Sequence, residues 1–450
     1  MNASPSTPST VKVAKFGGSS LASSEQIAKA HAIIDADPDR RFVVPSAPGK
    51  RSADDRKVTD LLYLCHESAG QGVAFDEAFG IIEKRFRGIA EELGVELDMD
   101  ALLGEVKAKI AENAQTGRGP DYAASRGEYL NGRILAERLG IAFVDSAEVI
   151  FFNSLGRLDE ERTYRTLGDK LQELGRAVVP GFYGSTPEGH IKTFSRGGSD
   201  VTGAIVARAT GAKVYENWTD VSGLLMTDPR VVNQPQTIET LTYRELRELS
   251  YMGATVLHPE AVFPVRHAGI PVNIRNTNDP EHPGTLIVGS DTEQPTRYPI
   301  TGIAGRKDFT IIHLEKTLMN EVIGYGEQVL GILRRNGVSF EHMPSGIDTL
   351  SIVVADDELT GKLDRVLEDL RRDIEPDTLS VDPDLALIAT VGRNMKTKPG
   401  MAATLFSALA EASVNIRMID QGSSELNIIV GVNVNDFDTA LNAIYAAYVK

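Results

Sequence analysis

Short runs of β-branched and aromatic residues alternate with amphipathic segments from Val11 onward. The runs VKVAKF, RFVVPS, RAVVPGF and AKVYENW have the length and composition of buried strands. Ser23 and Gln26 have the spacing of a capping box just before QIAKAHAII, so a helix is predicted after the first strand. This alternation is typical of an α/β domain with a largely parallel sheet.

The alternation changes between residues 280 and 300, where proline, glycine and charge are concentrated, and we predict a domain boundary there. Beyond it the chain repeats, because residues 324–354 align without a gap with residues 400–430, at an offset of 76 residues (400 − 324). Each copy predicts a strand, a helix, two strands and a helix, a small α+β unit of the ferredoxin-like kind. Such paired units favour binding of a regulatory ligand, and a purely structural duplication is the alternative.

Length, charge and cysteine content narrow the class of protein. A chain of 450 residues is long enough for two or three domains. Its formal net charge of −16 repels nucleic acid and anionic lipid surfaces, so neither is expected as a partner. Cys65 is the only cysteine, which excludes an intrachain disulfide. Residues 1–10 predict a disordered tail and no apolar run approaches a membrane span, so we expect a cytoplasmic protein.

The first candidate for chemistry is the turn KFGGSS, residues 15–20, directly after the first predicted strand. Glycines let backbone N–H groups approach phosphate oxygens closely, and a lysine at a strand end supplies positive charge. The chain has no Walker P-loop, and GYGEQV at 324–329 does not fit a dinucleotide fingerprint, so if the chain binds phosphate, another turn must hold it. The alternative is an ordinary strand-to-helix turn with a surface lysine.

The stretch FSRGGSDVTGA also places a cation beside two glycines. Arg196 has the guanidinium geometry that holds a carboxylate through two hydrogen bonds. Gly197 and Gly198 allow a tight turn against a ligand, and we expect Ser199 and Asp200 to begin a helix as polar caps. Asp200 has a second interpretation, in which its carboxylate also orients a lysine or a substrate ammonium.

Two weaker candidates lie elsewhere. In NWTDVSGLLMTDPRVV, which follows a predicted strand, Thr219, Asp220, Asp228 and Arg230 either line a nucleotide pocket or close an ordinary loop. Glu128 lies on a predicted amphipathic helix, where a glutamate usually faces solvent or forms an intrahelical pair.

Taken together and in this order, seven stretches of the chain resemble the signatures of the aspartate kinases. They are KFGGSS (15–20), VVPSAPGKR (43–51), SRGEYLNGR (125–133), TFSRGGSDVTGA (193–204), WTDVSGLLMTDPRVV (218–232), VNIRNT (272–277) and MIDQGSSELNIIVGV (418–432). The resemblance extends over nearly the whole chain after Val11.

The resemblance implies an amino-acid-kinase fold over residues 11–290, an α/β fold with a mostly parallel sheet sandwiched by helices. It also implies two ferredoxin-like ACT units, the first over 307–380 and the second built from 300–306 together with 381–450. The implied reaction transfers the γ-phosphate of ATP to the side-chain carboxylate of L-aspartate. The product is 4-phospho-L-aspartate, the entry to lysine, threonine and methionine synthesis.

The same resemblance implies an aspartate site. Arg196 would hold a carboxylate of aspartate, and Glu128 would pair with the substrate ammonium. Ser46, Thr59 and Ser199 match positions that line the same pocket.

On the nucleotide side, the resemblance implies that Lys15 neutralises charge on the transferring phosphoryl group and that Asp200 fixes its position. A carboxylate acceptor is already ionised at neutral pH, so no general base is needed. Mg²⁺ would be held mainly by phosphate oxygens and water, with no dedicated set of protein ligands. The residues expected to contact ATP are Lys15, Gly17, Gly18, Ser19, Thr219, Asp220, Asp228 and Arg230.

Two positions depart from the family pattern. Thr255 stands where many members carry a lysine, so it cannot supply that charge to the phosphates of ATP. Leu225 stands where an aromatic residue often packs near the nucleotide.

Family members of this build are inhibited by amino acids bound at paired ACT units, which also makes a homodimer or higher homo-oligomer the expectation. Lysine is the first candidate effector and threonine the second, with concerted inhibition as a third possibility. Asp348 is a candidate partner for the effector ammonium. The other effector-binding residues that the resemblance implies are Met319, Asn320, Gly324, Tyr325, Gly326, Ser345 and Gly346, although ordinary turn packing is the alternative for each.

Two other functions compete with this interpretation. A related kinase could act on glutamate or acetylglutamate, but SRGE, FSRGGSD and the doubled C-terminal unit argue against it. A catalytically inactive amino-acid sensor could keep the fold, as Thr255 and Leu225 would allow. The intact Lys15, Arg196 and Asp200 argue against such a sensor.

Overall fold

The computed structural model describes residues 10–195, 197–254, 257, 259–289 and 296–449. These residues form two compact units. The first unit comprises the described residues up to Leu224, Thr237–Tyr243 and those between 257 and 289. The second comprises Leu225–Gln236, residues 244–254 and residues 296–449. The predicted tail lies outside the described residues, apart from residue 10.

The first unit is built from ten strands and the helices that connect them. The strands are β1 (Lys12–Phe16), β2 (Arg40–Pro45), β3 (Ala142–Phe143), β4 (Ala177–Val178), β5 (Tyr183–Ser185), β6 (Ile191–Thr193), β7 (Val214–Thr219), β8 (Thr240–Thr242), β9 (Val272–Asn276) and β10 (Thr285–Val288). The helices are α1 (Ser24–Asp35), α2 (Val58–Gly70), α3 (Asp76–Leu93), α4 (Met99–Gln115), α5 (Asp121–Leu139), α6 (Ser146–Val149), α7 (Glu160–Leu174), α8 (Gly198–Ala209), α9 (Tyr243–Tyr251) and α10 (Phe263–His267). Most of α9 belongs to the second unit.

Eight of these strands form one mixed sheet in the order β3-β4-β2-β1-β7-β9-β10-β8. Neighbouring strands are parallel except that β10 runs antiparallel to β9. β5 and β6 form a separate antiparallel hairpin. The four predicted strands and the predicted α/β class are confirmed. In the described part of the chain, no helix is long and apolar enough to cross a membrane.

Buried apolar side chains explain why the central strands pair. Phe16 of β1 and Trp218 of β7 are register partners, and their rings stack with centroids 6.0 Å apart.

At the start of α1, Ser23 Oγ accepts the predicted capping bond from the Gln26 N–H at 3.3 Å. Gln26 Oε1 has no hydrogen-bond partner among the described residues, so it does not complete a capping box with Ser23, while Gln26 Nε2 donates to Asn278 Oδ1 at 3.1 Å.

The second unit contains a five-stranded antiparallel sheet in the order β12-β11-β13-β15-β14. Its strands are β11 (Gly302–Glu315), β12 (Thr349–Ala355), β13 (Thr378–Val391), β14 (Ile416–Asp420) and β15 (Asn427–Asn433). Its helices are α11 (Tyr325–Arg335), α12 (Asp356–Leu359), α13 (Leu363–Ile374), α14 (Met401–Glu411) and α15 (Phe437–Tyr448). The helices α11 and α14 occupy the same positions in the two sequence copies, since Tyr325 aligns with Met401.

The strand β11 serves both halves of this sheet. Its residues Gly302–Arg306 pair with Leu387–Val391 of β13. Its residues Phe309–Glu315 pair with β12 and with the earlier part of β13. The register shifts between the two parts, where Asp308 has a φ of 71°.

Candidate active site

Lys15 lies near the carboxyl end of β1 and is only 7% exposed. Because β1, β2 and β7 are parallel, their carboxyl ends meet at one edge of the sheet. The turns that follow these strands therefore lie side by side, where α/β folds place their ligands.

Two side chains hold the ammonium group of Lys15. Its Nζ lies 2.6 Å from Asp200 Oδ1 and 3.4 Å from Asn217 Oδ1. Asn217 Nδ2 donates to Asp200 Oδ1 at 2.7 Å, so the three groups close a triangle. Asn217 is 4% exposed and is the register partner of Lys15 in the ladder between β1 and β7. The expected contact between Lys15 and Asp200 is present, and the alternative of a surface lysine is wrong.

The paired glycines explain how Asp200 reaches Lys15. Gly197 precedes α8 with a φ of 55°, a left-handed conformation that favours glycine. A Cβ on Gly198 would overlap the Phe182 ring, so a side chain does not fit there. The predicted capping by Ser199 and Asp200 is wrong, because Gly197 is the N-cap and no side chain caps this helix. Asp200 instead points its carboxylate at Lys15.

Arg196 lies outside the described residues, so its expected contact with aspartate stays a prediction.

The turns after β1 and β2 pack closely together. The Ser46 N–H donates to Phe16 O at 3.0 Å, and the Gly49 N–H donates to Gly18 O at 2.8 Å. A Cβ on Gly49 would lie 2.5 Å from the Gly18 carbonyl carbon, so only glycine allows this approach. Among the described residues, the amides of Gly18 and Ser19 have no protein acceptor. Two free amides beside a buried lysine suit a phosphate group.

Glu128 projects from α5 and is 6% exposed. Burial raises the pKa of its carboxyl to about 8, although the Ala47 backbone hydrogen bond and the charge of Arg126 lower it. Its Oε2 is buried and has no hydrogen-bond partner in the described part of the chain. The solvent-facing interpretation of Glu128 is therefore wrong. A buried carboxylate oxygen that lacks a partner suits the ammonium group of a ligand.

The other residues predicted for aspartate binding lie on the same elements. Ser46 follows β2, and its carbonyl oxygen accepts a hydrogen bond from Asn131 Nδ2 at 2.8 Å. Ser199 is buried at the start of α8, where a Cβ on Gly181 would overlap it. Thr59 lies half-buried in the first turn of α2.

The residues that were predicted to bind the nucleotide lie in different parts of the structure. Gly17 donates its N–H to Trp218 O at 2.9 Å, so this amide is not free for phosphate and that part of the prediction is corrected. Thr219 ends β7 and donates its Oγ1 to Asp220 Oδ1 at 3.1 Å. Both residues lie at the carboxyl end of the strand that carries Asn217.

Asp228 and Arg230 belong to the second unit, where they form an ion pair at 2.6 Å. The Arg230 side chain holds the pKa of Asp228 below its usual range. Leu225 is half-buried in the same unit, and Thr255 lies outside the described residues.

The predicted effector residues lie in two loops of the second unit. In the first loop, Met319 begins a 3₁₀ turn, Asn320 is exposed, and Gly324 precedes α11 with a φ of 81°. Tyr325 is buried, and its hydroxyl has no partner among the described residues. Gly326 lies in the first turn of α11, where a Cβ would meet open space.

In the second loop, Ser345 forms an isolated bridge with Leu350, and the Gly346 N–H donates to Thr349 O at 2.7 Å. Asp348 Oδ1 accepts a hydrogen bond from the Leu318 N–H at 2.9 Å. This bond ties the second loop to the first, so the two loops form one surface.

Sequence reasoning missed two residues that shape the site. Asn217 could have been found by aligning KVAKF with VYENWT as neighbouring parallel strands, since this alignment places it opposite Lys15. Phe182 gave no sequence signal. It has a φ of 83°, which is uncommon for an aromatic residue, and its ring covers Gly198 at the start of α8.

Comparison with known proteins gives matches over nearly the whole chain. Residues 10–276 match the amino acid kinase family, and residues 388–448 match the ACT domain. Aspartokinase 3 of Bacillus subtilis (strain 168) is 38% identical over 451 aligned positions, which cover 97% of this chain and 98% of that protein.

Solved structures agree with these matches. The aspartate kinase of Clostridium acetobutylicum is 51% identical, with a TM-score of 0.91 over 97% of this chain and 99% of that one. Aspartokinase III of E. coli, solved with aspartate and ADP, is 27% identical, with a TM-score of 0.71 over 97% and 99% of the two chains. The same E. coli enzyme, solved with lysine and aspartate, gives a TM-score of 0.74 over 98% and 100%.

Proposed function

The chain belongs to the aspartate kinases of the amino acid kinase family, which use ATP to phosphorylate aspartate, and we propose that its product is 4-phospho-L-aspartate. The acceptor is then the side-chain carboxylate of L-aspartate. One of its oxygens forms a bond to the γ-phosphorus of ATP while the bond from that phosphorus to the β-phosphate oxygen breaks. ADP leaves with the electron pair. The observation that carries this proposal is the buried Lys15 ammonium, which Asp200 holds at a glycine turn with two free amides.

Lys15 acts in this scheme as a fixed positive charge beside the migrating phosphoryl group. Phosphoryl transfer depends mainly on alignment and on neutralisation of charge, and both improve when the cation cannot move away. Asp200 and Asn217 limit the positions of the lysine ammonium. The acceptor carboxylate is ionised at neutral pH, so the site needs no general base.

Glu128 binds the other end of the substrate in this proposal. Its unpartnered Oε2 accepts a hydrogen bond from the substrate ammonium, while Ala47 holds the carboxylate through its backbone. Arg196 takes a carboxylate of aspartate, as the family resemblance implies. Ser46, Thr59 and Ser199 complete the pocket around the substrate.

ATP binds with its phosphates at the turn after β1, in reach of the amides of Gly18 and Ser19. When bound, Mg²⁺ supplies further positive charge to the phosphates, and it is held by phosphate oxygens and water. The remaining nucleotide contacts are Thr219, Asp220, Asp228 and Arg230. The pathway that we infer for the product is the synthesis of lysine, threonine and methionine.

The second unit senses an end product in this proposal. Lysine is the first candidate because the related E. coli enzyme was solved with lysine. Threonine is the second candidate, and concerted inhibition by both is the third. The loops around Tyr325 and Ser345 offer the buried Tyr325 hydroxyl, which has no partner among the described residues, for a polar group of the effector. Pairing of ACT units between two copies of the chain makes a homodimer.

The proposal is tested by aspartyl hydroxamate formation with ATP, Mg²⁺, hydroxylamine and aspartate. We expect product with aspartate and none with glutamate or acetylglutamate, and we expect lysine or threonine to reduce the rate. Product from glutamate alone would identify a different acceptor. No product from any acid, together with binding of lysine or threonine, would identify an amino-acid sensor.

A further inference from the structure

A cavity lies in the first unit, between α4, α5 and the hairpin β5–β6. Its volume is about 510 Å³, which is in the range of small-molecule pockets. None of the residues assigned above to aspartate, ATP or effector binding is among those that line it. The proposed function therefore leaves this cavity without a role.

Arg126 lines the cavity and is 4% exposed. Its guanidinium carbon lies 4.5 Å, 4.4 Å and 5.1 Å from the ring centres of Tyr122, Tyr129 and Tyr183. Its Nε and Nη2 donate to Ser125 Oγ at 3.1 and 3.0 Å. Aromatic faces and one hydroxyl thus surround the charge.

No carboxylate of the described residues forms an ion pair with Arg126. Two other arginines are buried among the described residues of this unit: Arg40 pairs with Glu216 at 2.7 Å, and Arg85 pairs with Asp55 at 2.8 Å. Burying a charge without an opposite charge is costly, and tyrosine faces compensate only part of that cost. A buried guanidinium that forms no ion pair with a carboxylate can bind an anionic ligand.

Three further cations line the same cavity: Lys109, Arg118 and Lys192. In the described part of the chain none of them forms an ion pair. Arg118 Nη1 donates to Asn113 Oδ1 at 3.3 Å, and the Lys109 ammonium lies 5.7 Å from the Tyr122 ring centre. The cations are therefore available to a ligand.

Three carboxylates also line the cavity, and two of them are already used as acceptors. Asp121 accepts from the Thr193 hydroxyl and N–H. Asp145 Oδ1 accepts from the Tyr183 hydroxyl at 2.8 Å and from a backbone N–H. Glu105 is exposed. With four cations against three carboxylates, the cavity is locally positive in a chain whose net charge is −16.

We propose that this cavity binds a small organic anion, whose carboxylate or phosphate group contacts the Arg126 guanidinium. Arginine suits both groups because its planar fork matches two oxygens at once. The lysines at the rim attract the ligand, and the tyrosine rings contact its carbon skeleton. The lining residues of the cavity differ from those of the catalytic site, although the charge of Arg126 lowers the pKa of Glu128, and binding of the anion does not require the reaction.

The test is calorimetric titration of the full chain with succinate in one arm and inorganic phosphate in the other. Because both ions resemble parts of the catalytic substrates, each titration is repeated on Lys15→Ala for the nucleotide side and on Arg196→Ala for the aspartate side. We expect saturable binding of at least one ion, which both variants retain. Arg126→Met should weaken it roughly tenfold or more, as expected for loss of hydrogen bonds to a charged group.

The matched control is Arg138→Gln, which removes an exposed arginine at the far end of the same helix and should change nothing. If Arg126→Met does not fold, as judged by circular dichroism, the double variant Lys109→Gln, Lys192→Gln replaces it and should weaken binding several-fold. The proposal fails if neither ion binds, if Lys15→Ala or Arg196→Ala abolishes binding, or if the folded cavity variant binds like the unaltered chain. If the unaltered chain binds the ion but forms no aspartyl hydroxamate, only the proposed function is overturned.

Discussion

Two buried charged groups of the candidate active site differ in whether they have partners within the protein. Around Lys15, the ammonium, the Asp200 carboxylate and the Asn217 amide are partners of one another. At Glu128, Ala47 supports the carboxyl group, but Oε2 has no partner among the described residues. The first charge is held in place before any ligand arrives, and the second is left incomplete.

This difference indicates which group depends on the substrate. A paired lysine keeps its charge and position, which suits a group that must meet the phosphoryl group at one point. An unpaired buried carboxyl is held protonated by desolvation until an ammonium favours its ionised form. Substitution of Lys15 and substitution of Glu128 should therefore change different kinetic constants.

The largest effect is expected for Lys15→Ala. Removing the fixed charge should lower kcat by roughly 10³-fold or more, as for loss of a group that stabilises the transition state. Hydroxamate assays at saturating aspartate and ATP measure it. Lys12→Ala on the same strand is the control, because Lys12 pairs with Asp37 at 2.6 Å and not with the site. Near-normal turnover in Lys15→Ala would remove Lys15 from the mechanism.

A smaller effect, on KM more than on kcat, is expected for Glu128→Gln. The amide keeps the shape but cannot carry the charge that pairs with the substrate ammonium. The KM for aspartate should rise by about 10- to 100-fold, as for loss of a charged hydrogen bond, while the KM for ATP changes little. An unchanged KM for aspartate would assign the ammonium to another residue.

The pH dependence of Glu128 follows from its raised pKa of about 8. Below that pH the carboxyl is mostly neutral, so aspartate must displace a proton in order to bind. The kcat/KM for aspartate should rise with pH and level off above about 8, and Glu128→Gln should flatten the rise. The folded chain holds this proton more tightly than the unfolded chain, so its stabilising contribution is present at low pH and is lost as pH rises through about 8. A pH profile that keeps its rise in Glu128→Gln would contradict this assignment.

Asn217→Ala should have an intermediate effect on kcat. Lys15 and Asp200 keep their ion pair but lose the amide that limits both, so kcat should fall roughly tenfold with little change in the KM for aspartate. Asn273→Ala, at a half-buried amide on the neighbouring strand, is the matched control. If both variants lose the same activity and stability, Asn217 supports the sheet and not the lysine.

The smallest effect is expected for Tyr325→Phe, which removes a buried hydroxyl that, like Glu128 Oε2, has no partner in the described residues. If the hydroxyl contacts the effector, the inhibitor concentration for half-maximal effect should rise about 2- to 10-fold, as for one neutral hydrogen bond. Turnover without effector should stay unchanged. Inhibition curves with lysine, with threonine and with both measure the shift, and coincident curves would exclude this contact.

Local patterns predicted the elements of the fold well, because strand composition and helix spacing are properties of neighbouring residues. The offset of the repeat placed α11 and α14 correctly, and Ser23 does cap α1. Contacts that depend on distant chain segments were harder. The Gln26 side chain donates to Asn278, which is distant in sequence and comes close to Gln26 only in the folded chain.

The same limit applies to the site. Its cations and glycines were visible in KFGGSS and FSRGGSD, but Asn217 acts through strand pairing across 202 positions of the chain. The capping by Asp200 was wrong because Gly197 takes the left-handed position before α8 and leaves the carboxylate to Lys15. The sequence pattern shows which groups are present, and the pairing of strands in the sheet determines which of them come into contact.

The 14-residue strand β11 has a consequence for any attempt to dissect the regulatory region. Because one continuous backbone completes the sheet on both sides of its bulge, a cut at the repeat boundary would leave each fragment with an unpaired edge. Such edges associate with other chains. A half that is separated from the other would therefore lose part of the strand pairing that it has in the intact chain.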